Sequence, residues 1–198
     1  MHRILDRNTF AVKEHLGWMK LTSSYDVLDP TTGETLLECR ELRVGLLVKT
    51  LRLLGFKTLA PFRIDIQTPD GEPVLSVRRG FSAVLSRVVV EDERDAPIGQ
   101  FKQRLLSIGG SFNVQTLDGE TLCTLKGSLI GRKFRFLRDK IELARVHQRW
   151  AGLGRELFST ADSYVIEIED TVPPGNPLRG LILAAALCVD QVLKEGKR

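Results

Sequence analysis

NPLRGLILAAALCVDQVLK, residues 176–194, is the stretch whose reading decides the fold. Nine consecutive apolar residues run from Leu181 to Val189, and Leu178, Val192 and Leu193 extend them. A helix of that composition is apolar around its whole circumference and must be enclosed on all sides. A bilayer would need about 20 apolar residues, and Arg179, Asp190 and Gln191 interrupt this run too early. The expected enclosure is therefore a shell of protein. Asn176 can cap the free amides at the start, and Pro177 fits the first turn, where no donor is required.

Upstream, the chain repeats one pattern: an alternating apolar run, a turn rich in Asp, Gly or Pro, and a second alternating run. The copies span residues 25–39, 62–77, 87–104 and 112–125, and the turns TPDG at 68–71 and TLDG at 116–119 nearly duplicate each other. Residues 9–12, 133–137, 140–146 and 164–168 supply further strands, whereas 15–21 suits either a strand or a turn of helix. On a generous count this makes roughly ten to twelve antiparallel strands, which must pack as a sandwich or close as a barrel. A sandwich fills its core with its own side chains, whereas a large barrel needs a plug. The expectation is a mainly β chain, a single domain over residues 1–198, closed as an antiparallel barrel around the helix 176–194. Leu181, Leu183, Ala185 and Leu187 are then the plug, with small residues at 184–186 letting strands come close.

Composition narrows function only mildly. The chain has 198 residues, 42% hydrophobic and 27% charged, with a net charge of +4. Cys39, Cys123 and Cys188 are odd in number and far apart, which suits reduced intracellular thiols. The N-terminal residues lack the apolar core of a signal peptide. These features together give a cytoplasmic expectation, with the inner face of a membrane open to it.

Residues 42–64 contain no acid but five bases, among them Lys49, Arg52 and Lys57, with apolar residues at helical spacing. Such a basic amphipathic helix can close a barrel end or lie on an anionic membrane. A second basic cluster contains Lys133 and Arg135, which alternation puts opposite Phe134 and Phe136. Its fate is either a solvated outer face or contact with lipid phosphates. Lys49, Arg52, Lys57, Lys133 and Arg135 are thus the candidate anionic-lipid contacts.

No constellation for catalysis is legible. His2, His15 and His147 are isolated, and the phosphate-loop, dinucleotide and nucleophile-elbow motifs do not occur. The acidic groups around 91–95 and 167–170 lack EF-hand spacing, and Glu167 and Glu169 alternate with apolar residues as the solvent face of a strand would. Catalytic residues, cofactors and metal are each expected to be none. Aromatic residues are not interleaved with basic ones, so nucleic acid is not an expected partner.

The sequences ILDRNTFAVKE at 4–14 and YDVLDP at 25–30, the repeated Asp-Gly hairpins, and the final helix containing CVD at 188–190 resemble the phospholipid scramblase and LURP-one-related group. That group belongs to the tubby C-terminal-like superfamily, and the resemblance implies a closed barrel of about twelve strands around a central C-terminal helix. Taken with the clustered basic residues and the missing catalytic motifs, the leading expectation is a non-enzymatic scramblase-like barrel that binds anionic phospholipid at a membrane surface. The alternative it leaves open is a soluble module, as in LURP-one-related proteins, that binds a protein or small ligand. The acidic segment that scramblases carry before the last helix corresponds to residues 162–170. Here that segment alternates like a strand, so no calcium ligand is carried over.

Overall fold

The computed structural model describes residues 1–16, 23–41, 61–80, 87–103, 111–128, 133–147 and 163–194. A 3-10 turn at Arg3–Asp6 leads into β1 (Thr9–Leu16), β2 (Ser23–Leu28), β3 (Thr35–Glu41), β4 (Phe62–Gln67), β5 (Pro73–Arg79) and β6 (Arg87–Asp92). The chain continues through β7 (Pro97–Gln103), β8 (Ser111–Gln115), β9 (Thr121–Ser128), β10 (Lys133–Arg138), β11 (Ile141–His147) and β12 (Ser163–Ile168) to the helix α1 (Pro177–Lys194). Every strand pairs antiparallel with its sequence neighbours, and β1 pairs with β12, which closes the barrel.

Period-2 alternation produces the wall. In β4, Phe62, Ile64 and Ile66 are buried while Arg63, Asp65 and Gln67 are partly exposed. In β10, Phe134 and Phe136 face inward while Lys133 and Arg135 are exposed. The alternation runs opposite to that of a lipid-spanning barrel, whose outward band is apolar.

Residues 178–188 of α1 are all buried, so the helix fills the space that these inward side chains enclose. Where it passes β7 the wall carries Gly99. A Cβ there would lie 2.8 Å from the Leu181 side chain and 2.8 Å from the Gln115 carbonyl oxygen, so only glycine permits this approach. The Asn176 side chain accepts from the Leu178 amide at 2.9 Å and caps the helix.

Strands β2, β4, β6, β8 and β10 each show a register shift near their C-terminal end, just before a tight turn. Such bulges bend a strand and increase its twist, which helps a sheet to close. The turns repeat one geometry. The Thr68 and Thr116 amides donate to the carbonyls of Glu72 and Glu120, both at 2.9 Å, with Gly71 and Gly119 at φ of 88° and 98°. Asp95 takes the same left-handed place in the β6–β7 turn at φ 56°. Glu91 and Asp92 still belong to β6, leaving 93–96 as the connection.

At this same rim Arg179 is 1% exposed. Its guanidinium donates to the carbonyls of Leu5 (2.8 Å), Asp6 (3.1 Å), Arg7 (2.6 Å) and Val172, and to Asn8 Oδ1 (2.7 Å). A cation in the first turn opposes the helix macrodipole, and these oxygens compensate it. The two N-terminal motifs meet here. Asp6 accepts from the Gly175 amide at 2.7 Å, and Arg7 is ion-paired with Asp29, which also accepts the Thr31 amide at 2.7 Å and organises the β2–β3 turn.

Candidate functional site

A groove of about 650 Å³ lies on the outer wall of β9–β12 and is lined by Lys126, Lys133, Arg135, Arg145, His147 and Glu167, with Gly127 and Phe134 among its apolar residues. Strand register builds it. Arg135 stands directly opposite Lys126 on one side and Arg145 on the other, and Arg145 stands opposite Glu167. Like charges in directly opposed positions destabilise a sheet. Three consecutive cations across neighbouring strands therefore hold a concentrated positive potential.

Carboxylates offset this charge unevenly. Arg145 is ion-paired with Glu167 and lies 3.9 Å from both Glu142 and Glu169, while Arg135 reaches Glu142 only at 3.8 Å. His147 Nε2 is 3.2 Å from Glu167. Among the described residues no carboxylate pairs with Lys126 or Lys133. Burial raises the Glu167 pKa, but Arg145 and His147 outweigh it and hold the carboxyl below its ordinary range. With four cations against one carboxylate on its lining, the groove suits a ligand carrying phosphate or carboxylate.

Gly127 shapes this site. A Cβ there would come within 2.1 Å of the Lys133 carbonyl oxygen, so glycine is what lets β9 and β10 approach beneath the two lysines.

Lys133 and Arg135 are thus brought together, and they are joined by Lys126, Arg145 and His147, which sequence reading left unassigned. The missing signal was the pairing of β9 with β10 and β10 with β11, since each cation alone is an ordinary outward strand residue. Lys49, Arg52 and Lys57, with the amphipathic helix expected around them, lie outside the described residues; from that stretch only 61–64 are described, and 62–64 open β4. Residues 17–21 are likewise outside, while His15 belongs to β1.

The acidic residues at 91–95, which lack EF-hand spacing, have protein partners. Glu91 is buried between Ser76 Oγ (3.0 Å) and Arg78 (2.7 Å), and Asp92 Oδ1 accepts the amides of Arg94 (2.9 Å) and Ala96 (3.0 Å). Glu93 pairs with the Met1 ammonium at 2.8 Å and Asp95 with Arg63 at 3.1 Å. Among the described residues no group of three or more His, Cys, Asp or Glu is placed to hold a metal ion. The face of β12 that carries Glu167 is less solvated than its alternation suggests, because Ser163 and Val165 are buried on it.

A closed twelve-stranded antiparallel barrel threaded by its own C-terminal helix is the class of protein that these observations define. The chain belongs to the Scramblase family, whose model matches residues 7–195. In fold it is similar to a protein from Arabidopsis thaliana solved by X-ray crystallography, with a TM-score of 0.54 and 15% identity over 93% of this chain and 91% of that one. No curated protein matches it in sequence. Among the described residues no helix is long and apolar enough to cross a membrane.

Proposed function

We propose that this chain is a non-enzymatic barrel that binds anionic phospholipid peripherally, at the inner face of a membrane, through the groove on β9–β12. The observation that carries this reading is the cross-strand row Lys126–Arg135–Arg145 with Lys133 beside it, in which two lysines have no carboxylate partner among the described residues. Membership of the Scramblase family supports a lipid over other anions. Each Lys or Arg near an anionic membrane contributes about 1 kcal/mol of attraction. Neutralising Lys126 and Lys133 together should thus lower partitioning on the order of 30-fold.

Flotation with phosphatidylserine vesicles at low and physiological salt tests it. The wild type should float with these vesicles and not with phosphatidylcholine, and Lys126→Gln/Lys133→Gln should stay at the bottom while melting like the wild type. Failure of the wild type to float at either salt overturns the proposal. Displacement from the vesicles by an acidic peptide stronger than that by lipid phosphate would favour a protein-binding module instead.

A further inference from the structure

Strand direction divides the charge of this protein along the barrel axis. The N-terminal residues 1–8, the five tight turns and the link from β12 to α1 all lie at one rim, because β2, β4, β6, β8, β10 and β12 all end there. These seven segments, residues 1–8, 29–34, 68–72, 93–96, 116–120, 139–140 and 169–176, contain twelve Asp and Glu against four Lys and Arg, a formal charge of −8. Among the other described residues 14 Lys and Arg stand against 10 Asp and Glu, or +4, and one of those bases, Arg179, is buried at the acidic rim itself.

The described cations of the groove lie toward the other end. Lys133 opens β10 and His147 closes β11 at the rim away from the tight turns. A strand of six residues tilted as in a barrel advances roughly 15 Å along the axis. That is about two Debye lengths at physiological salt, so a charged surface against one rim is largely screened from the other. A net charge of +4 spread evenly would attract an anionic surface weakly in any pose. Among the described residues, the groove cations attract such a surface while the acidic turn rim repels it.

We infer that the barrel docks on an anionic bilayer in one orientation, with the groove and the rim opposite the tight turns toward the lipid phosphates and the acidic turn rim held away. This inference rests on the lipid-binding reading above, and specifies the pose.

The three native cysteines are buried, so a thiol-reactive fluorophore can be directed to single introduced cysteines. Asp70→Cys and Asp118→Cys place it on two tight turns. Lys102→Cys and Gly80→Cys place it at the far ends of β7 and β5, and Gly80 has no atom within 4 Å of its added Cβ. Each labelled full-length protein is bound to phosphatidylserine vesicles carrying a head-group quencher. Lys102 and Gly80 labels should lose fluorescence on binding, and Asp70 and Asp118 labels should keep theirs. Vesicle flotation with quenching at the turn labels overturns the orientation and leaves lipid binding standing, whereas absence of flotation removes both.

Discussion

Arg179 Nε donates to the carbonyl oxygen of Leu5 at 2.8 Å, across 174 residues of sequence. The remaining guanidinium nitrogens reach residues 6–8 and 172, so one side chain ties the N-terminal segment and the link before α1 to the central helix. Replacing Arg179 with Leu leaves several buried carbonyls without a donor, each costing about 1–3 kcal/mol. Arg179→Leu should therefore lose on the order of 3 kcal/mol or more of stability, and Arg179→Lys, with fewer donors, should recover only part. Urea unfolding of the three proteins measures this; a variant as stable as the wild type would show that the contacts contribute nothing net.

Enclosure of α1 predicts severe effects from polar groups within it. Leu183 is 0% exposed and Ala185 6%, and a carboxylate at either place has no partner. Leu183→Asp or Ala185→Asp should abolish soluble expression. The milder Gly99→Ala, which presses a methyl into Leu181 and the Gln115 backbone, should cost about 1–3 kcal/mol in the same unfolding assay.

Acid should weaken the fold through its paired carboxyls. In Asp26 burial raises the pKa, and the hydrogen bonds from His15 and Arg40 lower it further than burial raises it. Asp29 is lowered chiefly by the Thr31 amide, and Glu167 by Arg145 and His147 against burial. A carboxyl depressed in the folded state contributes stability that is complete above its ordinary value, 3.8 for Asp and 4.5 for Glu, and is lost as pH falls through the folded value. Melting temperature should accordingly hold steady between pH 5 and 7 and fall below about pH 4. Glu167→Gln should flatten part of that fall. At neutral pH the same variant makes the groove more positive, and its flotation with phosphatidylserine vesicles should strengthen about fivefold.

Burial pushes the Cys123 and Cys188 thiols up to about 12, and Cys39 further still, where the nearby Cys188 adds to the effect of burial. Reaction requires thiolate and access, and both are withheld. A colorimetric thiol reagent should titrate none of the three in the native protein and all of them in denaturant. Rapid reaction of a native thiol would place that side chain at the surface.

Gly127 offers a separate handle on the groove. Gly127→Ala drives a methyl against the Lys133 carbonyl, so β9 and β10 must part beneath Lys126 and Lys133. Vesicle binding should fall although no charge has changed, and the exchange of the amides pairing β9 with β10 should accelerate.

The sequence by itself determined the wall and the plug. Alternation at residues such as Phe62, Ile64 and Ile66 sorts each strand into two faces, Gly71 and Gly119 admit the turn conformation, and nine apolar residues from Leu181 exceed what a half-buried helix can expose. These are local properties, carried by period and by backbone sterics within a few residues. Only the tertiary structure decided what stands beside what. Lys126, Arg135 and Arg145 form a row because hairpin register places them at one level, and a shift of a single residue in either pairing would put a cation on the apolar face. Arg179 read as an interruption of the apolar run, and its role emerged when closure of β1 on β12 brought residues 5–8 to the start of the helix. The acidic rim has the same origin, since antiparallel order gathers turns that are scattered along the chain at one end of the barrel.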